Sequence, residues 1–237
     1  MAEKFQFKQF SVHQDQCAMK IGTDGVLLGA WATLSHQPKT LLDIGAGTGV
    51  IALQLAQRSP ATTIDAVEID EEAHVQCVDN FEASPWADRL FCYHASIQEF
   101  ASEIDENYDL IVSNPPFYSE DYKTKDSARD IARFNDVLPF EHLIACVAQL
   151  LANSGIFAVI VPKKEEASFL SLAEKYSLFP KRICRVRGSV HSEEKRTMIE
   201  FGFEKTEPLF ESLTIENARH DYTKEYTALV QDFYLKM

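Results

Sequence analysis

What the chain lacks narrows the problem before any motif is weighed. Its five cysteines, Cys17, Cys77, Cys92, Cys146 and Cys184, stand far apart, odd in number and without a CxxC pair. That spacing argues against a disulfide framework and against a structural zinc site, and it predicts reduced, mostly buried thiols. The seven histidines are as scattered, with no HExxH and no helical i, i+4 pair, so no bound metal is expected. No apolar run approaches the ~18 residues of a membrane span, and "MAEKFQFKQF" has no apolar segment behind a basic start. Neither secretion nor membrane insertion is expected, which leaves the cytoplasm. No repeat, low-complexity stretch or linker rich in Gly, Pro or Ser divides the 237 residues, so one domain spanning 1–237 is the simplest organisation.

Positive charge is also in deficit. The net charge is −13, the wrong sign for contact with phosphates. The deficit is local, however: between Ser59 and Asp109 thirteen acidic residues face the single Arg89, and the rest of the chain is close to neutral. Two basic groups stand elsewhere, Lys123, Lys125, Arg129 and Arg133, then Lys181, Arg182, Arg185, Arg187, Lys195 and Arg196. An acidic back with a basic front is one reading; two solvated, salt-bridged faces is the other.

From residue 39 onward short apolar runs alternate with helical patterns, the signature of an α/β fold with a largely parallel sheet. "TLLDIG", "TTIDAVEI", "RLFCYH", "YDLIVS" and "IFAVIVP" read as strands. "VIALQLAQR", "EEAHVQCVDNFEA", "IQEFASEI", "FEHLIACVAQLLA" and "EEASFLSLAEKY" read as helices. Pro139 suits the start of the fourth of these, and Asn153-Ser154-Gly155 its end. "KRICRVRG", "RTMIEFGFEK" and "LFESLTI" are β-rich and precede a last helix, "KEYTALVQDFYL". Ahead of the core, "FQFKQFSV" alternates like a strand and "DGVLLGAW" reads as a helix with Asp24 at its N-cap.

Three places carry chemistry. "LLDIGAGTGV" runs strand, Asp43, then Gly45, Gly47 and Gly49 before a helix, so a ligand can lie on bare backbone at a helix N-terminus. A dinucleotide fingerprint would need GxGxxG; here the spacing differs and a carboxylate precedes the loop, which suits a cationic ligand without a pyrophosphate. Glu68, ending the second strand, can accept hydrogen bonds from ribose hydroxyls, whereas Asp70 fits an N-cap. Third, "YDLIVSNPPF" ends a strand in Asn114, Pro115, Pro116 and Phe117; two prolines stop the sheet and hold the chain stiff.

D-x-G-x-G-x-G resembles the first motif of class I S-adenosylmethionine-dependent methyltransferases, and NPPF resembles their fourth motif in enzymes that methylate planar amino nitrogens. The resemblance implies a Rossmann-like α/β fold: a mostly parallel seven-stranded sheet, helices on both faces and an antiparallel last strand. It implies that the Asn114 side-chain oxygen and the Pro115 carbonyl each accept one hydrogen of the NH2 group, an alignment worth about 2–4 kcal/mol per group by analogy with oxyanion-hole donors. Phe117 would stack on the target ring, worth about 1–3 kcal/mol for a base. Such enzymes usually carry an aspartate after the third strand, near the cofactor's adenine; this chain has Ser96, which helix capping explains equally well. With "CAMKIGTDGVLLGAW" and "YTKEYTALVQDFY" added, the chain resembles, over nearly its whole length, the tRNA(Val) N6-adenine methyltransferase family, which modifies adenine 37 beside the anticodon. The resemblance implies S-adenosylmethionine as cofactor, tRNA as partner, residues 1–36 as an extension over the cofactor site, and Lys20, Thr23 and Asp24 near the cofactor's methionine end. Arg129, Arg133, Lys181 and Arg182 are the expected RNA contacts. The alternatives are the same chemistry on ribosomal RNA guanine N2 or protein glutamine N5, a non-catalytic protein binding cofactor and RNA, and a nicotinamide-dependent oxidoreductase.

Overall fold

The computed structural model describes residues 4–17, 19–116 and 138–237. Phe117, Arg129 and Arg133 fall outside the described residues. The N-terminal alternation forms a hairpin, β1 (Lys4–Gln6) with β2 (Ser11–His13), followed by α1 (Thr23–Trp31). Then come β3 (Thr40–Ile44), α2 (Val50–Arg58), β4 (Thr63–Glu68), α3 (Glu71–Glu82), β5 (Leu90–His94), α4 (Ile97–Glu103) and β6 (Tyr108–Ser113). After the undescribed stretch follow α5 (Phe140–Leu150), β7 (Leu151–Pro162), α6 (Glu166–Lys175), β8 (Phe179–Ser189), β9 (Glu194–Gly202), β10 (Leu209–Ala218), β11 (Asp221–Tyr222) and α7 (Lys224–Val230).

The main sheet runs β11-β10-β8-β9-β7-β6-β3-β4-β5. Strands β3 to β7 pair in parallel, and β9 is antiparallel to both neighbours, β7 and β8. The seven strands expected are those from β5 to β8, with β9 as the antiparallel one. The sheet extends past them because the apolar run in "LFESLTI" adds β10 parallel to β8, and β11 caps that edge. Strand order reverses at β3, which lies between β4 and β6, so a crevice opens at the carboxyl ends of these strands.

Parallel strands are buried on both faces, and the residues alternate accordingly. Leu41, Leu110, Val112, Ala158 and Ile160 pack towards α1, α2, α3, α7 and the hairpin. Leu42, Ile111, Phe157 and Val159 pack towards α4, α5 and α6. Caps set the helix starts: Asp70 accepts from Ala73 N–H at 2.8 Å, and Ser96 with Glu99 forms a reciprocal capping box. Two expectations are corrected. Gly22, not Asp24, is the N-cap of α1; Asp24 lies inside the first turn and its carboxylate pairs with Arg196 Nε at 2.7 Å. Helix α5 ends at Leu150 and β7 begins at once, because the segment through Gly155 lies along the start of β6, where a side chain at 155 would meet the Tyr108 carbonyl at 2.9 Å.

Gly49, at φ 77°, hands the loop to α2, and a Cβ there would lie 2.5 Å from Phe81 Cε1 and 2.9 Å from Cys77 Sγ. Gly49→Ala therefore combines left-handed backbone strain with a clash against α3. Urea unfolding should show a loss of about 2–4 kcal/mol. Gly45→Ala, at φ 73° but with nothing within 4 Å of the added carbon, should lose only about 1–2 kcal/mol.

Candidate active site

At the carboxyl ends of β3 to β6 lies a cleft of about 780 Å³. Gly45 and Gly47 form its floor, Glu68 and Asp70 one wall, Ser96 to Glu99 a second, and Asn114, Pro115 and Pro116 a third. The side chains absent at Gly45 and Gly47 would have pointed into space, with no atom within 4 Å, so the backbone here is a bare cradle. The loop is tied down from below. Gly45 N–H donates to the Val67 carbonyl at 2.9 Å, Gly47 N–H to Glu68 Oε2 at 2.7 Å, and Asp70 N–H to Glu68 Oε1 at 2.9 Å. Glu68 thus braces the turn with one lone pair of each oxygen and keeps the other pairs for a ligand.

Asp43 lies beneath the cradle, 1 % exposed. Its Oδ2 accepts from Ala52 N–H in the first turn of α2 at 3.1 Å, while Oδ1 is buried with no hydrogen-bond partner. Burial pushes its carboxyl from 3.8 up to about 7, with the Ala52 N–H opposing and the Glu68 charge adding to the rise. An orphaned acceptor of this kind under a bare glycine cradle fits a cationic ligand laid on the loop.

The Asn114-Pro115-Pro116 bracket meets the cradle directly. Ser113 Oγ–H donates to the Ile44 carbonyl at 2.9 Å, locking the end of β6 to the end of β3, and Asn114 follows at the rim with Pro115 buried behind it. The Ser96 hydroxyl donates to Glu99 Oε2 at 2.7 Å and accepts from Glu99 N–H at 3.2 Å, so capping occupies it in both directions. Two residues not singled out from the sequence stand beside it: Gln98 Nε2 and His142 Nδ1 lie 3.1 Å apart, both lining the cleft. A pair drawn from α4 and α5 has no local sequence signal. The N-terminal segment is fastened over the same cleft by α3. Asn80 Nδ2 donates to the His13 and Thr48 carbonyls at 2.9 and 3.0 Å, and Gln76 Nε2 donates to Asp15 Oδ1 at 2.8 Å. Cys17 and Met19 consequently line it, and burial, reinforced by Glu68, Asp70 and Asp15, pushes the Cys17 thiol up to about 12. A thiol so protonated is no nucleophile.

Of the remaining expected site residues, Lys20, Thr23 and Asp24 do not line the cleft, although α1 packs on α2 beside the loop. Arg182 is turned inward: its guanidinium stacks 3.9 Å over Trp31, pairs with Glu211 at 3.0 Å and Glu200 at 3.5 Å, and donates to Thr33 Oγ1 at 2.7 Å. Lys181 pairs with Glu204 at 3.6 Å, and Arg185 makes a two-pronged pair with buried Glu166. Among the described residues, Arg187 and Lys195 have no carboxylate partner within 4.0 Å.

Comparison with known proteins decides between the readings of this cleft. Residues 25–175 match the family model "Methyltransferase small domain". A tRNA1(Val) (adenine(37)-N6)-methyltransferase of Flavobacterium psychrophilum is 58 % identical over 233 residues, 98 % of this chain and all of the relative. The chain belongs to the tRNA1(Val) (adenine(37)-N6)-methyltransferase family. A member of the same name from Bacteroides fragilis is 45 % identical over 237 residues, 98 % of each chain. In fold the chain is similar to a predicted O-methyltransferase of Agrobacterium tumefaciens, at TM-score 0.69 and 17 % identity, over 89 % of this chain and 96 % of the other. It is also similar to SMU.776, a putative methyltransferase complexed with SAH, at TM-score 0.57 and 14 % identity, over 81 % of this chain and 53 % of that one. The class I methyltransferase fold and an S-adenosylmethionine cofactor follow, and the nicotinamide reading falls away.

The raised Asp43 carboxyl has a measurable consequence. Its folded value of about 7 lies above its unfolded value near 3.8, so unfolding releases a proton between the two. Stability should be fully retained below pH 4 on account of this group and be lost as pH rises towards 7, by about 1.4 kcal/mol per unit at the steepest. Above 7 the curve should flatten. Thermal unfolding of ligand-free protein from pH 5 to 8 should show this slope in wild type and its absence in Asp43→Asn.

Proposed function

We propose that the chain is a single cytoplasmic catalytic unit that transfers a methyl group from S-adenosylmethionine to N6 of adenine 37 in the anticodon loop of tRNA(Val). The observation that carries this reading is the Asn114-Pro115-Pro116 bracket on the wall of the cleft that has Gly45 and Gly47 as its floor. An amine held by the bracket lies within the same enclosure as a ligand on the cradle.

The cofactor supplies an electrophilic methyl group. Gly45 and Gly47 let it lie against backbone, the ribose hydroxyls meet the unused lone pairs of Glu68, and Asp43 answers its positive end through the loop. With the Ser96 hydroxyl engaged in capping, Gln98 is the side chain placed to take the role of the usual aspartate. Its Nε2 donates to His142 Nδ1, and in this reading its Oε1 accepts from the cofactor's adenine amino group. Asn114 Oδ1 and the Pro115 carbonyl each accept one N–H of the target adenine. That alignment fixes the amino nitrogen and favours the pyramidal geometry it needs to attack. Phe117 follows directly in the sequence and is the natural face for the base to stack on. No strong base is required, since the nitrogen becomes acidic once methylated, and a loop nucleotide turns out of its stack at a cost of a few kcal/mol.

Purified protein given radiolabelled cofactor and tRNA from a strain lacking the gene should place label in N6-methyladenosine. Asn114→Ala should lower kcat by about 10²–10³-fold with cofactor affinity unchanged. Gln98→Ala should instead raise the KM for the cofactor by about tenfold and leave kcat near wild type. Label in release factor or ribosomal RNA in place of tRNA would overturn the acceptor.

For RNA docking, cross-strand register matters. Ser113, Val159, Ile199 and Ile183 share one level across the sheet, so Arg187 and Lys195 stand beyond it, towards the end of the sheet at which the cleft opens, while Lys181 and Arg182 stand below it. Arg187 and Lys195, together with Arg129 and Arg133, are the phosphate contacts of this reading. Arg187→Glu with Lys195→Glu should weaken tRNA binding and flatten its salt slope by about 1–2. Arg182→Ala should leave that slope unchanged and cost about 3–5 kcal/mol of stability, because Glu200 would be left buried without its ion-pair partner, bonded only by Thr33.

A further inference from the structure

A second cavity, of about 320 Å³, lies at the amino-terminal ends of the parallel strands, across the sheet edge from the cofactor cleft. Helix α4 has seven residues and covers only the upper part of its sheet face, where Phe100 sits 5.2 Å from Tyr93 and 6.4 Å from Tyr108. Below it the edge strand β5 is open to solvent. Phe91 and Tyr93 on β5 remain 45 % and 40 % exposed, unusual for aromatics in a parallel sheet, and Glu106 stands at the rim. The floor holds Asp65, 5 % exposed. Tyr108 O–H donates to its Oδ2 at 2.6 Å, and its Oδ1 has no partner at all.

We infer that this slot binds a small aliphatic ammonium compound, a polyamine in class, with one ammonium on Glu106 above the buried Asp65 carboxylate and its carbon chain along the Phe91 and Tyr93 rings. A carboxylate with an empty acceptor, nineteen-twentieths buried, calls for a donor, and every charged group lining the cavity is acidic, so the donor is a cation. The aromatic walls select an organic cation through their negative faces. A hard divalent metal would require six or more oxygens converging on one point, whereas the two carboxylates and four hydroxyls of the lining are spread over four strands and the segment before β6, with Tyr108 already bonded to Asp65. Removing the carboxylate charge at Asp65 or Glu106 leaves the ammonium unanswered, and removing the Tyr93 ring leaves the chain wet. The site lies apart from the methyl-transfer cleft and does not depend on its assignment.

Spermidine titrated calorimetrically into the whole protein should bind saturably at one site. Affinity should fall at least tenfold in Asp65→Asn and in Glu106→Gln and several-fold in Tyr93→Ala, while S-adenosylhomocysteine affinity stays unchanged in all three. Magnesium ions at equal charge concentration should not displace it. No saturable heat would overturn the inference. So would binding that the variants do not alter, or that magnesium removes as effectively, either of which would mean diffuse attraction to an acidic surface. Should Asp65→Asn fail to fold, the exposed Glu106 and Tyr93 variants decide alone.

Discussion

The turn from Gly45 to Gly49 is the constraint on which the rest of the cleft depends. Three glycines at φ 73°, 54° and 77° bend the chain so that its amides and its bare face point in opposite directions. Left-handed residues at every second position are costly in any other composition, and here the turn is held by contacts outside itself. Glu68 closes on the Gly47 amide, Val67 on the Gly45 amide, Asn80 on the Thr48 carbonyl, and Asp43 on the first turn of α2. These partners come from β4, α3 and β3, so the loop records the docking of β4, α3 and α2 on β3. The same contacts carry the N-terminal segment into place, because Asn80 also holds the backbone of His13. A residue that serves both the loop and its cover couples the order of one to the order of the other.

How much of this was legible in the sequence depends on the range of the interaction. The parallel core, the glycine turn and the Asp70 cap are written in local patterns of period and residue type, and the structure matches them. The end of α5 was misread because Asn153-Ser154-Gly155 carries turn chemistry that pairing with β6 overrides; the register of a sheet is set by its neighbour, not by the segment. The N-cap of α1 was misread for a related reason: Asp24 is a good capping residue, but it sits two positions past the cap and its carboxylate is taken by Arg196, 172 residues away. At the site, glycines, acid and proline bracket were each visible in one stretch. The Gln98–His142 pair was not, since its members sit on helices that meet only after the sheet has formed.

The basic cluster from 181 to 196 illustrates the same limit in electrostatic form. Six cations in sixteen residues read as one patch, yet strand alternation sends them to different faces and levels. Arg182 enters the layer of Trp31, Thr33 and Glu200, where burial pushes the Glu200 carboxyl above the usual range and Arg182 and Thr33 oppose that rise. Arg185, on the other face, does the same for Glu166, whose carboxyl it holds below the usual range together with Thr197 and Lys163. Burial alone would neutralise such acids, so the arginines belong to the fold first. Sequence composition counts these charges; only the register says which of them face outward.

Sheet order also resolves the conflict between a net charge of −13 and a nucleic-acid partner. The acidic segment is β4, α3, β5 and α4, all at one end of the sheet, whereas the basic strands β8 and β9 lie towards the other. From β4 to β8 there are five strand steps, roughly 24 Å at about 4.8 Å each. That separation is about three Debye lengths at physiological salt, so a phosphate beside β8 and β9 is screened from most of the negative charge at β4 and β5. The acidic end, meanwhile, repels any polyanion that approaches the cleft from its side. A chain that is acidic in sum therefore presents a directional field at the cleft, and the direction follows from strand order rather than from composition.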